Sequence, residues 1–189
     1  MIFLRLVLWI WFFSALGVGH FLLLQRLPPL AIQGIIFGLT TLLLLAYFRV
    51  EALRRAIDEL PVRALVFFHV TRFVGFYFLH LYSLGELPYE FAVPGGYGDI
   101  IIATLALAVL FIPMPEARRS RAIYIWNVIG LVDILLVLFS AVRLGRDDPS
   151  AMRALTYLPL SLLPTFLVPA ILASHVIIFR RLKKLPAAP

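Results

Sequence analysis

Six long apolar stretches, separated by short polar connections, dominate the pattern of residues along the chain. They cover residues 2–24, 30–48, 64–84, 100–114, 122–142 and 162–179. Because an α-helix rises 1.5 Å per residue, about 20 apolar residues are needed to cross a hydrocarbon layer of ~30 Å. The fourth stretch is short by this measure, so it extends upstream past Asp99, begins in the interface or crosses a thin part of the membrane. The pattern predicts an all-α bundle of six transmembrane helices.

The connection 50–63 has the pattern of a short amphipathic helix. Its apolar side chains are spaced to share one helix face: Leu53, Ile57 and Leu60. Glu51 and Arg55 stand four residues apart, which is the spacing of an ion pair on a helix surface. We expect this segment to lie in the membrane interface as a linker between the second and third spans.

The connection 85–99 is predicted to be a loop on the outer side. It contains no basic residue and three acidic ones, which are Glu86, Glu90 and Asp99. The run Gly96-Tyr97-Gly98-Asp99 is typical of a turn, and its aspartate is placed to cap the N-terminus of the fourth span. We therefore expect Asp99 in this loop.

The composition is that of a membrane protein. Apolar residues make up 62% of the 189 residues and charged residues 14%, and the mean hydropathy is +1.00. Soluble domains are about half apolar and about a quarter charged. With so little polar surface the natural solvent of this chain is lipid, and its length fits one membrane domain over residues 1–189.

The Lys and Arg residues form short clusters at the ends of the apolar stretches, and these clusters predict the orientation. When the connections alternate across the membrane, one side receives twelve of them: Arg5, Arg49, Arg54, Arg55, Arg63, Arg118, Arg119, Arg121, Arg180, Arg181, Lys183 and Lys184. The other side receives four: Arg26, Arg143, Arg146 and Arg153. The positive-inside rule assigns the richer side, and both termini with it, to the cytoplasm. The net charge is +7, but no continuous basic face forms, which excludes nucleic acid as a partner.

Two absences in the sequence narrow the chemistry. The chain has no cysteine, which excludes thiol catalysis, iron–sulfur clusters and covalent c-type haem. Lysine occurs only at Lys183 and Lys184, past the last apolar stretch, which excludes a buried Schiff-base lysine. No hydrolytic triad is visible either, so the sequence does not predict an enzyme.

All four histidines, His20, His69, His80 and His175, lie inside apolar stretches. An ionisable side chain is costly in hydrocarbon and is by default a functional candidate. In the predicted orientation the histidines fall at two levels. His20 and His80 lie near the outer surface, whereas His69 and His175 lie near the inner one.

His69 and His80 are expected to share one face of a regular helix, because eleven residues at 100° each exceed three full turns by only about 20°. Two histidines on one stripe, each facing a histidine of another helix, are what two bis-histidine b-type haems require. Arg72 lies on the same face, where its guanidinium would pair with a haem propionate. The pattern therefore predicts a di-haem site with the pairs His20/His80 and His69/His175. The alternative is that the histidines only hydrogen-bond between helices and fix the packing.

Arg72 and Asp133 are a second set of intramembrane candidates. Either charge alone, near the middle of the bilayer, would cost about 2.5–3.5 kcal/mol or more. Mutual pairing relieves this cost, with Asn127 nearby on the helix of Asp133, so the sequence predicts a buried ion pair. The same two residues would also serve a proton or ion relay.

Two further features concern helix packing. Gly34 and Gly38 form a GxxxG pattern, which allows another helix to approach closely, either within the bundle or in a dimer. Pro164 and Pro169 interrupt the sixth span. They are expected to kink it and to free carbonyl groups that packing or a cavity must satisfy.

The chain resembles a group of small uncharacterised bacterial membrane proteins. The resemblance lies in four segments: Arg72-Phe73-Val74-Gly75, Leu87-Pro88-Tyr89-Glu90-Phe91-Ala92-Val93-Pro94, Trp126-Asn127-Val128-Ile129-Gly130 and Leu163-Pro164-Thr165-Phe166-Leu167-Val168-Pro169. It spans Arg72 to His175 and supplies no activity, ligand or catalytic residue. What it implies is a multi-pass protein of a bacterial inner membrane.

These observations leave three functions open. One is a b-type di-haem electron carrier that uses the four histidines. A second is a non-catalytic accessory or scaffold subunit, whose partners are the lipid bilayer and another membrane protein or a second copy of the chain. The third is a small transporter that uses Arg72, Asp133 and the proline-broken sixth span.

Overall fold

The computed structural model describes residues 2–183, and no strand occurs among them. Within this range the α-helices are α1 (Ile2–His20), α2 (Pro29–Arg49), α3 (Glu51–Asp58), α4 (Val62–Phe68), α5 (Gly75–Ser83), α6 (Tyr89–Phe111), α7 (Glu116–Asp147) and α8 (Val168–Lys183). Shorter 3₁₀ segments occupy Leu23–Arg26, His69–Val74 and Arg153–Thr156, and a π-helical turn occupies Leu163–Leu167. Lys184, which was counted for the predicted orientation, lies outside the described residues.

Five helical segments among the described residues are long and apolar enough to cross a membrane. They are Pro29–Arg49, Val62–Ser83, Tyr89–Phe111, Glu116–Asp147 and Leu163–Lys183. The first predicted span is shorter than expected, with an apolar helix over Leu4–His20. The chain leaves helical geometry at Leu22, whose φ of 54° is left-handed, because a right-handed helix cannot continue through that conformation.

The predicted linker contains a helix, α3, over Glu51–Asp58, and its position in the membrane interface stays a prediction. Its expected ion pair is present, with Arg55 Nη2 2.5 Å from Glu51 Oε1. The far end of α3 is held to α2 by a hydrogen bond of 2.7 Å, which the Tyr47 hydroxyl donates to Asp58 Oδ1. This bond fixes the direction in which the chain leaves α2.

The predicted outer loop over 85–99 is wrong for most of its length, because α6 begins at Tyr89. The buried positions of α6 recur every three or four residues, and many are small: Ala92, Gly95, Gly96, Asp99, Ile102, Ala103 and Ala106. Burial of this face outweighs the low helix propensity of glycine. Pro94 is tolerated because the carbonyl that loses its donor belongs to Glu90, an exposed residue of the first turn. Asp99 therefore lies in the interior of α6 and does not cap a helix.

The chain divides into two compact units, and the second comprises Pro61–Ser140 and Ser174–Pro189. Its core is an apolar cluster drawn from α4, α6, α7 and α8: Val66, Ile102, Ala106, Val109, Ile123, Trp126 and Ile178. Helices α5 and α6 cross closely, since a methyl group added at Gly75 would collide with the carbonyl oxygen of Gly96. The small residues at this crossing let the two backbones approach closely, and the close approach fixes the positions of the side chains on α5 and α6.

Arg119 closes the C-terminal end of α6 within the same unit. The last carbonyls of a helix have no intrahelical donor, and two prolines follow α6 at Pro113 and Pro115. The buried guanidinium of Arg119 donates to the carbonyls of Val109, Leu110 (3.1 Å), Ile112 (3.3 Å) and Met114 (3.5 Å). This arginine therefore acts as a helix cap.

The first unit, Met1–Leu60 and Ala141–Ala173, contains the proline-broken segment. Pro169 has no N–H to donate to the carbonyl four residues earlier, which is that of Thr165. The indole N–H of Trp11 donates to this carbonyl instead, at 2.8 Å. The ring of Phe166 packs on that of Trp11, with centroids 4.6 Å apart. Packing by α1, not a cavity, satisfies the freed carbonyl.

The expected packing of Gly34 and Gly38 inside the bundle is wrong. A methyl group added at either position of α2 meets nothing within 4 Å among the described residues. The dimer alternative for this pattern stays a prediction.

Gly75→Ala should destabilise the protein, because the new methyl group meets backbone at the α5–α6 crossing, which cannot yield as a side chain can. Overpacking of this kind costs roughly 1–3 kcal/mol in the free energy of unfolding. Gly34→Ala is the matched control, since it adds the same methyl group to a helix in open space and should leave stability unchanged or raised. Thermal unfolding in detergent followed by circular dichroism measures both, and equal midpoints for the two variants would contradict the close crossing.

Candidate functional site

The third predicted span is not one regular helix. Between α4 and α5 the chain tightens into a 3₁₀ segment, His69–Val74. A 3₁₀ helix has three residues per turn, so side chains at i and i+3 stand directly above one another. His69 and Arg72 are related in this way, and both are buried. The segment therefore delivers two polar side chains to the same face of the interior.

The predicted shared face of His69 and His80 is wrong for the same reason. Each 3₁₀ residue turns the chain by 120° instead of 100°, so the five steps from His69 to Val74 add about 100° of rotation. His69 is fully buried, whereas His80 is exposed. The two histidines face different surroundings.

Arg72 is the centre of the polar interior, and its side chain is only 1% exposed. Its Nε donates to Asp99 Oδ1 at 2.6 Å, and its Nη1 donates to the carbonyl of Gly130 at 3.0 Å. Its Nη2 contacts Asp133 Oδ2, so the ion pair expected from the sequence is present. One guanidinium thus joins the 3₁₀ segment to α6 and α7.

The two carboxylates of this cluster differ in their surroundings. The side chain of Asp99 is 5% exposed and that of Asp133 is 22% exposed. One guanidinium between two carboxylates leaves a formal charge of −1 if both acids are ionised. We call Arg72, Asp99 and Asp133 the Arg–Asp cluster.

Glycines make room for the polar side chains. Gly98 faces the carboxylate of Asp133 so closely that any side chain at this position would collide with it. A methyl group at Gly130 would lie 3.0 Å from Cε1 and 3.5 Å from Nε2 of His175. Gly130 therefore joins two polar groups, because its carbonyl binds Arg72 and its open side receives the imidazole.

Two histidines form a second buried group beside the Arg–Asp cluster. His69 Nε2 lies 2.8 Å from the Ser174 hydroxyl, and His175 Nδ1 lies 2.7 Å from Asn127 Oδ1. The two imidazole rings touch, with centroids 4.4 Å apart. The ring of Trp126 packs against His69 with a centroid distance of 4.8 Å. These contacts match the alternative to haem binding, in which the histidines form hydrogen bonds between helices.

The tautomer of His175 follows from its partner. The Asn127 amide nitrogen donates to the carbonyl of His175 at 3.0 Å, which leaves the amide oxygen as the acceptor for the ring. His175 Nδ1 therefore carries the hydrogen, and a neutral ring has a bare lone pair on Nε2. His175 Nε2 and His69 Nδ1 are both buried, with no hydrogen-bond partner among the described residues.

The inner histidine pair does not fit a haem as it is placed. A metal–imidazole bond is about 2 Å long, so two rings on opposite faces of an iron porphyrin have centroids about 6 Å apart. The rings of His69 and His175 are in edge contact at 4.4 Å, at an angle of 64°. No porphyrin plane passes between rings so close. Arg72, predicted to contact a propionate, is occupied by Asp99 and Asp133.

The outer histidines are both exposed. His20 ends α1 in the first unit, and its ring contacts that of Phe21. His80 lies in α5 of the second unit, with its ring 6.1 Å from that of Tyr77. Their pairing stays a prediction. Among the described residues, no group of three or more His, Cys, Asp or Glu side chains is arranged to hold a metal ion.

Asp99 is the site residue that the sequence analysis missed. Its run of glycines was interpreted as a turn, which placed the acid in a loop. The available signal was the spacing of small residues, since Ala92, Gly95, Asp99, Ala103 and Ala106 recur at helical intervals. An acid in phase with such a stripe belongs to a buried helix face, where Arg72 needs a second counter-charge.

Comparison with known proteins gives a family without an assigned activity. The family model described as a domain of unknown function, DUF8737, matches residues 29–183, and the chain belongs to this family. No curated protein and no solved structure matches the chain. The match covers the Arg–Asp cluster and both inner histidines but not His20.

Arg72→Met should destabilise the protein strongly, because it leaves the buried carboxylate of Asp99 and the partly buried one of Asp133 without their cation. Breaking a buried ion pair in this way costs about 3–5 kcal/mol in the free energy of unfolding. Arg55→Met is the matched control, since the exposed pair with Glu51 contributes only about 0.3–0.5 kcal/mol. Denaturant titration in mixed micelles measures both, and an Arg72→Met variant as stable as Arg55→Met would show that the cluster does not hold the fold.

Protein purified from haem-replete cells should show, in a dithionite-reduced minus oxidised spectrum, no sharp α-band that depends on His69 or His175. The reason is the edge contact of His69 and His175, which leaves no space for a porphyrin between them. An α-band that disappears in His69→Ala would contradict this geometry and restore the haem hypothesis.

Proposed function

We propose that this member of the DUF8737 family is a multi-pass protein of a bacterial inner membrane that takes up and releases one proton at its Arg–Asp cluster, as a small proton-coupled carrier does. Five membrane-length helices and the bias of Lys and Arg support the location. Both termini lie in the cytoplasm when the shorter apolar helix Leu4–His20 crosses as a sixth span. The observation that carries the proposal is a buried guanidinium shared by two carboxylates.

The charge of the Arg–Asp cluster favours the binding of one proton. Arg72 neutralises one carboxylate, and the second leaves a net charge of −1. In the proposed membrane location this charge has apolar surroundings. An isolated ionised acid at the middle of a bilayer costs about 2.5–3.5 kcal/mol or more. Binding one proton removes this charge without moving a helix, so the cluster alternates between a neutral and an anionic form.

The two acids have different roles in this exchange. Asp99 is nearly inaccessible and receives the guanidinium Nε at 2.6 Å, so it stays the ionised partner of Arg72. Asp133 is four times as exposed, at 22% against 5%, and it is the carboxylate that a proton reaches. When Asp133 is protonated, Arg72 keeps its pair with Asp99 and its bond to the Gly130 carbonyl.

A second candidate is the accessory subunit. This candidate is favoured by the position of Asp133, because its neighbours on α7 include the exposed side chains of Val132 and Leu136. A basic side chain from a partner's transmembrane helix, packed on this apolar surface, would neutralise Asp133 in place of a proton. The haem carrier is not retained as the proposal, because the inner histidines are in ring contact.

Infrared spectroscopy at neutral pH tests the proton directly. The purified protein should show the carbonyl band of one protonated carboxylic acid, because the neutral cluster holds one proton. Asp133→Asn should remove this band and still fold, since the amide oxygen continues to accept from Arg72. The matched control is Asp147→Asn, the same substitution at an exposed end of the same helix, which should keep the band.

Coupled transport is tested in vesicles that contain a pH-sensitive dye. Addition of small candidate solutes should change the internal pH for the wild-type protein and for Asp147→Asn, but not for Asp133→Asn. Absence of both the band and the pH change, together with a membrane protein that co-purifies with wild type and is lost in Asp133→Asn, would replace the carrier by the accessory subunit.

A further inference from the structure

The start of α7 and the end of α8 meet at one end of the second unit. The rings of Tyr124 and Phe179 are 5.4 Å apart, and Ile123 and Ile178 belong to one buried cluster, against which Val62 of α4 also packs. We call this region the basic end. It comprises residues 61–68, 112–124 and 176–183.

The basic end is strongly positive. It has seven basic side chains and one acidic side chain in these segments, a formal charge of +6. The basic ones are Arg63, Arg118, Arg119, Arg121, Arg180, Arg181 and Lys183. The acid, Glu116, is shared between Arg63 Nη2 at 3.3 Å and Arg119 Nε at 3.6 Å. Four of the basic side chains are exposed: Arg63, Arg118, Arg121 and Lys183. Arg63 contacts Glu116, and the other three present charge to the surroundings.

Exposed apolar side chains adjoin these charges. Phe67 in α4, Phe111 and Ile112 at the end of α6, and Ile125 in α7 are all about half exposed or more, at 53%, 71%, 53% and 49%. Tyr124, 46% exposed, stands between Arg121 and Ile125 along α7, and tyrosines are enriched at the level of lipid headgroups.

The combination of charge and apolar surface identifies the partner. A nucleic acid or another soluble polyanion would bind the arginines but gains nothing from the apolar side chains beside them. A phospholipid contacts both, because its phosphate pairs with basic groups while its acyl chains cover the apolar surface. The positive-inside rule also assigns this end to the cytoplasmic leaflet, where anionic lipids attract basic segments.

We propose that the basic end is a binding site for anionic phospholipid headgroups, with Arg118, Arg121 and Lys183 in contact with the phosphates. The site is separate from the Arg–Asp cluster, and it stands whether or not the cluster binds a proton. Arg119 is not a member of the site, because its guanidinium is buried against the carbonyls that follow α6.

Native mass spectrometry of the full chain in an uncharged detergent tests the proposal. Phosphatidylglycerol and phosphatidylcholine are added at equal concentrations, and the lipids retained on the protein are counted. The wild type should retain phosphatidylglycerol in preference. The triple variant Arg118→Gln, Arg121→Gln, Lys183→Gln should lose about fivefold in affinity for each charge removed, and wild-type retention should fall as salt is raised.

The control variant removes three exposed charges elsewhere: Arg143→Gln, Arg146→Gln and Arg153→Gln. It should retain phosphatidylglycerol as the wild type does. Circular dichroism of both triple variants establishes that they fold. If the first triple variant does not fold, the single variant Arg121→Gln replaces it and should show a smaller loss of affinity for phosphatidylglycerol. Equal loss in the two triple variants, equal retention of the two lipids, or binding of heparin that phosphatidylglycerol does not displace would each overturn the proposal.

Discussion

The burial of one guanidinium organises the second unit. A charged side chain in an apolar interior is stable only when its donors and its charge are both satisfied, and Arg72 meets this condition with groups from two other helices. The requirement explains several local features together. The 3₁₀ segment aims the side chain, the glycines of α6 and α7 open the space, and Asp99 and Asp133 supply the charge. None of these features is favourable alone, since 3₁₀ geometry, buried glycine and buried aspartate each cost free energy in isolation.

Much of the fold follows from the sequence, because apolar stretches of membrane length are visible without any structure. The ion pair of Arg72 and Asp133 was also predictable, since each charge needs a partner and few are available within the spans. Asp99 was not found because the glycines beside it were given their usual meaning as turn residues. In α6 they provide close helix packing, and this use depends on α5, which no local pattern around Asp99 reveals.

The geometry of the third span could not be predicted for a different reason. Periodicity arguments assume one helical repeat, and the phase of His80 relative to His69 changes by about 100° when six residues adopt 3₁₀ geometry. Nothing in the run from His69 to Val74 resembles a helix breaker. The segment instead carries side chains whose partners are distant in the sequence, as the contacts of Arg72 with α6 and α7 show. Of the four histidines in the predicted cofactor site, His69 and His175 form a buried pair in ring contact, whereas His20 and His80 are exposed.

The indole of Trp11 has a consequence for the order in which the protein assembles. A buried carbonyl has no water to bind, so the segment around Thr165 and Pro169 has all its carbonyls satisfied only when α1 is beside it. Because α1 precedes this segment in the chain, it leaves the ribosome earlier and is available when the segment emerges. The helix α1 therefore supplies the hydrogen-bond donor that the segment before α8 needs. A variant without α1 would leave the Thr165 carbonyl without its hydrogen bond from Trp11.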